Sequence, residues 1–393
     1  MKVHPAPGLQ QRVVAGGPDD FMTVQQLVVR GSQYEIGKRL AEVARRDSHW
    51  APSPPQDRTR NRARRRWFEQ HWPEHHARMQ GVAAAFGADI GDDGLDFSYV
   101  MAEPVQPQCS AVWCASELAS DGHARVGRNL DFTTRTISEL FGRPPAFGEP
   151  PVFGRPYVVE TYPEDGPAVI GTTIGDLLGC LDGMNEHGLA VALLADDEPS
   201  ARQPSGTPQA GLCETQLARY LLERCSSAQE ALEVLYATKQ YDEWAVAHYL
   251  VADSNEAFVW EREMHNTEHA VKQDSGHLCV TNFLLFRQGA SIVPDDVEDN
   301  PGLNDAMRRA RVLHDGFIET PFSEETLWDL LESVRQDQAQ DSWNENRGRT
   351  LWHNQFDLDS GRIDYEFYLG DKEDGAPRRS PRFSVSPSSR SSS

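Results

Sequence analysis

From Cys109 onward the chain is written in short β-branched and aromatic runs broken by Gly, Pro and Asp, and this texture most constrains its fold. P-Y-V-V-E-T, A-V-I-G-T-T, G-L-A-V-A-L-L, H-Y-L-V-A and A-F-V-W-E each fit a strand. A last pair, T-L-W-H-N-Q-F-D and R-I-D-Y-E-F-Y, meets at the turn Leu358-Asp359-Ser360-Gly361. Helical stripes interrupt the strands: Leu217, Leu221 and Leu222, then a segment capped by Ser227 with Glu230, and later Leu327, Leu330, Leu331 and Val334. There is no β-α-β alternation and no internal repeat, so the expected class is a layered α+β domain.

Ahead of Cys109 the pattern is helical. In G-S-Q-Y-E-I-G-K-R-L-A-E-V, Ser32 and Glu35 have capping-box spacing, and Ile36, Leu40 and Val43 share one face. P-S-P-P at 52–55 breaks that helix, and Arg58, Arg60, Arg62, Arg64, Arg65 and Arg66 lead into a second helical region through Ala85. Residues 1–20 and 375–393 offer almost nothing to bury, so both ends are expected to be disordered.

Composition narrows the function classes. A chain of 393 residues with 39% hydrophobic content can close a substantial core. No run of ~18 apolar residues spans a bilayer and the N-terminus lacks an apolar signal stretch, so a soluble, cytoplasmic protein with no membrane partner is expected. A formal charge of -22 opposes nucleic-acid binding, and the arginine run is expected to be a solvated face. The six cysteines show no C-x-x-C pair and are expected as reduced thiols. His71, His75 and His76 lack the H-E-x-x-H pattern and have Pro73 among them, so no metal is expected; without a G-x-x-x-x-G-K-[ST] motif, no cofactor is either.

The chemistry concentrates in Q-C-S-A-V-W-C-A-S-E-L-A-S-D-G-H-A-R-V-G-R-N-L-D-F, residues 108–132. A thiol becomes a nucleophile as thiolate, and Arg128 is a permanent cation a hairpin's length downstream of Cys109. The residues alone leave open a second description, in which Cys109 is a small buried hydrophobe and Arg128 to Asp131 a solvated pair. Cys114, an odd number of residues along the same strand, should face away from Cys109.

Cys109-Ser110 followed by G-R-N-L-D-F (127–132) resembles the start of the catalytic chain in the N-terminal-nucleophile cysteine hydrolases. These include choloylglycine hydrolases, acid-ceramidase-like amidases and the acyl-coenzyme A:isopenicillin N acyltransferase family. The last is the most similar, because R-G-S-Q-Y-E-I-G-K-R-L-A-E (30–42) and W-P-E-H-H-A-R-M-Q-G-V-A-A-A-F-G (72–87) also resemble its opening segment. G-M-N-E-H-G-L-A-V (183–191), V-T-N (280–282) and T-L-W-H-N-Q-F-D (350–357) resemble further blocks in order, and the likeness spans roughly 27–370.

The resemblance implies a four-layer αββα sandwich and self-cleavage at Gln108-Cys109. It divides the chain into 1–20, a helical pro-segment 21–108, a catalytic part 109–374 and a tail 375–393. Cys109 is implied as nucleophile, with its new α-amino group as base. Arg128 is implied to stabilise the thiolate and Asp131 to hold the amine or thiol, while Asn282 donates to an oxyanion. One of Arg308, Arg309 and Arg311 is implied to structure the site. A family asparagine expected after G-L-A-V is absent, and Asn185 is expected to be a turn residue rather than its replacement. The implied partner is a small-molecule acyl amide or acyl thioester, cleaved by hydrolysis by default; the D-D-E segment at 196–198 is read as a solvated loop, with attraction of a cationic acceptor amine as the alternative. Two rivals stay open: a catalytically silent binding module of the same fold, and an uncleaved thiol hydrolase using His123 or His187 as outside base.

Overall fold

Ser32 caps helix α1 (Gln33–Ser48) as its spacing predicts: its side chain accepts the Glu35 N–H, and Glu35 Oε2 accepts the Ser32 N–H at 2.9 Å. The helical region that follows is two helices, because Pro73 occupies the first turn of α3 (Pro73–Ala85) and so ends α2 (Arg58–His71). Among the arginines of α2, Arg62 and Arg65 pair with Asp93, and Arg64 is buried against Asp96. The run is therefore partly an internal ionic network rather than a uniformly solvated face. In this computed structural model the described residues are 8–101, 108–140, 142–196, 203–263, 267–272, 275–287, 301–317, 321–337 and 348–387.

Two sheets carry the architecture. The nine-stranded sheet runs β1 (Gly8–Gly16), β2 (Thr23–Gly31), β5 (Tyr157–Pro163), β6 (Val169–Thr173), β7 (Asp182–Asn185), β8 (Ala190–Ala195), β9 (Ala247–Ala252), β10 (Ala257–Arg262), β11 (Glu268–Val271). The seven-stranded sheet runs β12 (His277–Val280), β3 (Gln108–Cys114), β4 (Arg125–Thr133), β13 (Gly348–Asp357), β14 (Arg362–Asp371), β15 (Pro377–Arg379), with β16 (Phe383–Val385) also on β14. Pairing is antiparallel except between β2 and β5.

Helices cover both outer faces. α1, α5 (Glu214–Arg224) and α6 (Ala228–Ala237) lie over the first sheet, with α3 packed on α1, while α7 (Pro301–Gly316) and α8 (Glu324–Glu332) lie over the second. A one-turn α4 (Ile137–Leu140) follows β4. Strand alternation then sorts β3: Cys109, Ala111 and Trp113 enter the main core, whereas Val112 and Cys114 join Leu313, Phe317, Leu327 and Leu331 beneath α7 and α8. The layer order is αββα, the fold class expected from the sequence.

Both ends depart from expectation. Residues 8–16 form edge strand β1, paired with β2 from Gly8↔Arg30 to Gly16↔Thr23 with one register shift. Its side chains are mostly half-buried and follow no apolar alternation, so backbone pairing rather than apolar periodicity makes it a strand. The start of the expected tail is likewise ordered. Arg378 reaches Asp20, Arg379 pairs with Asp337, Arg382 lies over the Trp328 ring at 3.7 Å, and Phe383 stacks on Tyr365. Charges that read as solvating have specific partners here. Nor is 21–108 simply helical, since β2 sits inside the nine-stranded sheet.

The leading segment is packed closely within itself and is tied to the rest by a buried ion pair. Helices α1 and α3 cross at glycines, where a Cβ on Gly37 would stand 2.2 Å from the Arg78 carbonyl oxygen and one on Gly81 2.0 Å from that of Tyr34. Gly37→Ala or Gly81→Ala should lower stability in a denaturant titration by ~1–3 kcal/mol, since overpacking outweighs alanine's helix preference of ~1 kcal/mol. On α5, Glu223 accepts from Arg78 of α3, Arg219 and Trp72. Burial pushes its carboxyl up, but Arg78 and Arg219 outweigh it and hold the group at about 2 against an ordinary 4.5. A depressed acid stabilises the fold fully above its ordinary pKa and loses that contribution as pH falls through the folded value. The melting temperature should therefore drop on acidification from pH ~4.5 toward ~2, and Glu223→Gln should flatten that part of the profile.

Candidate active site

The hairpin of β3 and β4 builds the site. Its ladder runs from Gln108↔Asp131 to Cys114↔Arg125, and Gly122 takes a left-handed φ of 74° in the connection, as the Asp-Gly pair predicts. The register brings Arg128 opposite Ala111, from where its fully buried guanidinium reaches back to the first residues of β3. Nη2 donates to Cys109 Sγ at 3.4 Å and to the Leu193 carbonyl at 2.7 Å, while Nη1 donates to Asp182. The Cys109 thiol lies 3.8 Å from the same Leu193 carbonyl. Burial drives this thiol up to about 11; Arg128 opposes that rise and Asp131 adds to it.

The nitrogen of Cys109 is held separately. Its N–H donates to Asn282 Oδ1 at 2.9 Å, which also accepts Arg309 Nη2 at 3.0 Å. Both partners are donors only, so the amide's orientation is determined: Nδ2 points the other way and donates to the Ala195 carbonyl at 2.6 Å. Asn282 thus meets Cys109 as an acceptor, a contact that the expected donor role had not included. Thr281 anchors the V-T-N turn by donating to the Ala306 carbonyl of α7 at 2.8 Å.

Of the three candidate arginines, Arg309 is the one in the site. It donates to the Cys109 carbonyl at 2.7 Å, to Asn282, to Asp131 at 3.4 Å and to Asp305 at 2.8 Å. Arg308 is exposed, and Arg311 is half-buried elsewhere on the helix. The signal was in the sequence: Arg309 lies three residues after buried Ala306 and four before Leu313, whereas Arg308 turns outward. Asp131 also accepts from Thr350, its register partner on β13; burial raises this carboxyl to about 6 against the pull of Arg309 and Thr350.

Other candidates fall elsewhere. His123 pairs with Asp357 at 2.9 Å beyond the Arg125 end of the ladder, five residues or ~17 Å along the strand from Cys109. His187 sits in the β7–β8 turn, where Asn185 Oδ1 accepts its N–H at 3.0 Å; Asn185 is the turn residue expected. His75 is buried between Phe68 and Trp72, with Nε2 3.1 Å from the Ser98 carbonyl. Among the described residues no cluster of His, Cys, Asp and Glu fits a metal, and no helix is long and apolar enough to cross a membrane. None of the six cysteines is in a disulfide. In the D-D-E segment, 197–198 lie outside the described residues.

Two facing sheets between helical layers define a four-layer αββα sandwich, with the buried Cys109 thiol at the head of an inner strand. The sequence places the chain more narrowly: residues 119–372 match the family model for acyl-coenzyme A:6-aminopenicillanic acid acyl-transferase, and the chain belongs to that family. The match begins after Cys109 and includes Arg128, Asp131, Asn282 and Arg309. Among solved structures, penicillin V acylase from Agrobacterium tumefaciens is similar at 15% identity, covering 71% of this chain and 86% of that one, with a TM-score of 0.47. A mutant of conjugated bile acid hydrolase from Clostridium perfringens is 15% identical over 71% of this chain and 92% of that one, at 0.45. The Caenorhabditis elegans ortholog of N-acylethanolamine-hydrolyzing acid amidase is 15% identical over 64% and 93%, at 0.40. No curated protein matches the sequence.

The Arg309 network has a direct test. Arg309→Leu leaves Asp131 buried without its cation and Asp305 with Arg308 alone, and should destabilise the protein by ~3–5 kcal/mol in a denaturant titration. Arg308→Ala should stay within ~0.5 kcal/mol of wild type.

Proposed function

We propose that the protein is a self-processing N-terminal cysteine amidohydrolase or acyltransferase acting on a linear, non-peptide acyl amide or an acyl thioester. One observation carries this reading: Arg128 sits on the Cys109 sulfur while Asn282 Oδ1 holds the nitrogen of the same residue. Cys109 Sγ first attacks the Gln108 carbonyl carbon, the C–N bond breaks, and the thiol proton passes to the departing nitrogen. Water then cleaves the resulting thioester, giving pieces 1–108 and 109–393.

The freed α-amine inherits the contact to Asn282. With an ordinary pKa of about 7.7–8.0, it takes the thiol proton at neutral pH, which a thiol held near 11 does not release unaided. In turnover the thiolate attacks the substrate carbonyl, and we assign the second Nδ2 hydrogen of Asn282, with a backbone N–H, to the developing oxyanion. The leaving amine or thiol departs, and water accepts the acyl group from Cys109. Transfer to an added amine is the minority route, because any water reaching the thioester hydrolyses it. His123 and His187 lie away from the sulfur, which weighs against an outside histidine base.

Intact mass spectrometry of purified protein should find fragments of 108 and 285 residues that co-elute until denatured. Cys109→Ala should remain one chain and be inactive; Cys114→Ala should be cut and active. In processed enzyme, Asn282→Ala should lower kcat with an acyl amide by ~10²–10³. A wild-type chain that stays whole yet is fully active would overturn self-processing.

A further inference from the structure

Asp182 stands at the first position of β7, in the nine-stranded sheet, yet its side chain bonds to residues of the opposite sheet. Oδ2 accepts from Arg128 Nη1 and from Trp352 Nε1 at 3.1 Å, and Oδ1 accepts from Asn354 Nδ2 at 2.9 Å. Arg128 and Asn354 are register partners on β4 and β13, so one carboxylate crosses the core to hold two neighbouring strands. Asp182, Arg128, Trp352 and Asn354 are all fully buried. The other end of the same guanidinium touches the Cys109 sulfur at 3.4 Å.

We infer that Asp182 is a positioning residue that aims the Arg128 guanidinium at Cys109 Sγ and divides its charge between its own carboxylate and the thiolate. This rests on the function proposed above, in which that thiolate attacks. Two properties follow. A buried guanidinium facing only a neutral thiol would lack a counter-ion before the thiol ionises, and Asp182 supplies one. Once the thiol ionises, Arg128 lies between two anions, so Asp182 weakens its hold on the thiolate and keeps sulfur a stronger base and nucleophile than Arg128 alone would leave it. The indole and amide donors of Trp352 and Asn354 fix the carboxylate, so the geometry is set by packing across both sheets.

The experiment compares wild type, Asp182→Asn and Asp182→Glu. The rate of alkylation at Cys109 is followed against pH by peptide-mapping mass spectrometry, with Cys109→Ala as blank, alongside kcat and KM on an acyl amide. Removing the negative charge should make the thiol more acidic, so Asp182→Asn should move the alkylation profile toward lower pH and raise the thiolate fraction on its rising limb by roughly tenfold. Its kcat should fall while KM changes little, and Asp182→Glu should return the profile toward wild type. If Asp182→Asn does not fold, Asp182→Ser carries the same comparison.

An Asp182→Asn profile superimposable on wild type, with only a lower melting temperature, would reduce Asp182 to scaffold and overturn the inference. A protein that is neither cut nor active but still shows the Asp182-dependent shift would refute the enzymatic proposal while upholding the pairing.

Discussion

A guanidinium with no access to water is the point on which the site depends. Arg309 donates to the Cys109 carbonyl, Asn282, Asp131 and Asp305, and so joins β3, the turn after β12, β4 and α7 at one place. A buried cation is tolerated only when its donors are met, so these elements must arrive together or leave an ion stranded in a low dielectric. The chemistry inherits that order. Cys109 has its carbonyl on Arg309, its nitrogen on Asn282 and its sulfur on Arg128, three contacts that leave its backbone and side chain little freedom to turn.

The same burial sets the thiol's reactivity. Desolvation holds Cys109 well above an ordinary cysteine, and the nearby cation does not overcome it. On the proposed mechanism this keeps the uncut chain inert toward outside reagents until an amine appears on the same residue. Scission need not separate the pieces. β2 pairs with β5 and Arg78 pairs with Glu223 on α5, so releasing the leading segment would open a sheet and strand an ion pair.

Much of this was legible in residues 27–370. The Ser32 box, the helical stripes, the five strands read between 156 and 261 and the closing β13–β14 hairpin form where their patterns predict, because each is a local preference reinforced by burial, whereas the short β7 carries no such pattern. Alternation alone separated Cys109 from Cys114. The ends misled, since β1, β15 and β16 owe their order to backbone pairing and to arginine partners far away in sequence. The site was half visible. Arg128 and Asp131 stand in a recognisable block, but the choice of Arg309 needed helix phase, and the contact of Asn282 with the Cys109 nitrogen needed its neighbours.

Local patterns were enough to specify the kind of layers, and the family resemblance of residues 108–132 named Cys109 as the candidate nucleophile. Periodicity, capping and turn residues act over a few positions, so they are written in the chain itself. How the buried charges are shared is a property of the folded molecule alone. Asp182 is one aspartate among many until β7 faces β13 across the core, 170 residues separating it from Trp352. Which buried ion meets which partner depends on strand register and sheet facing, and a low dielectric makes those few ångströms decisive.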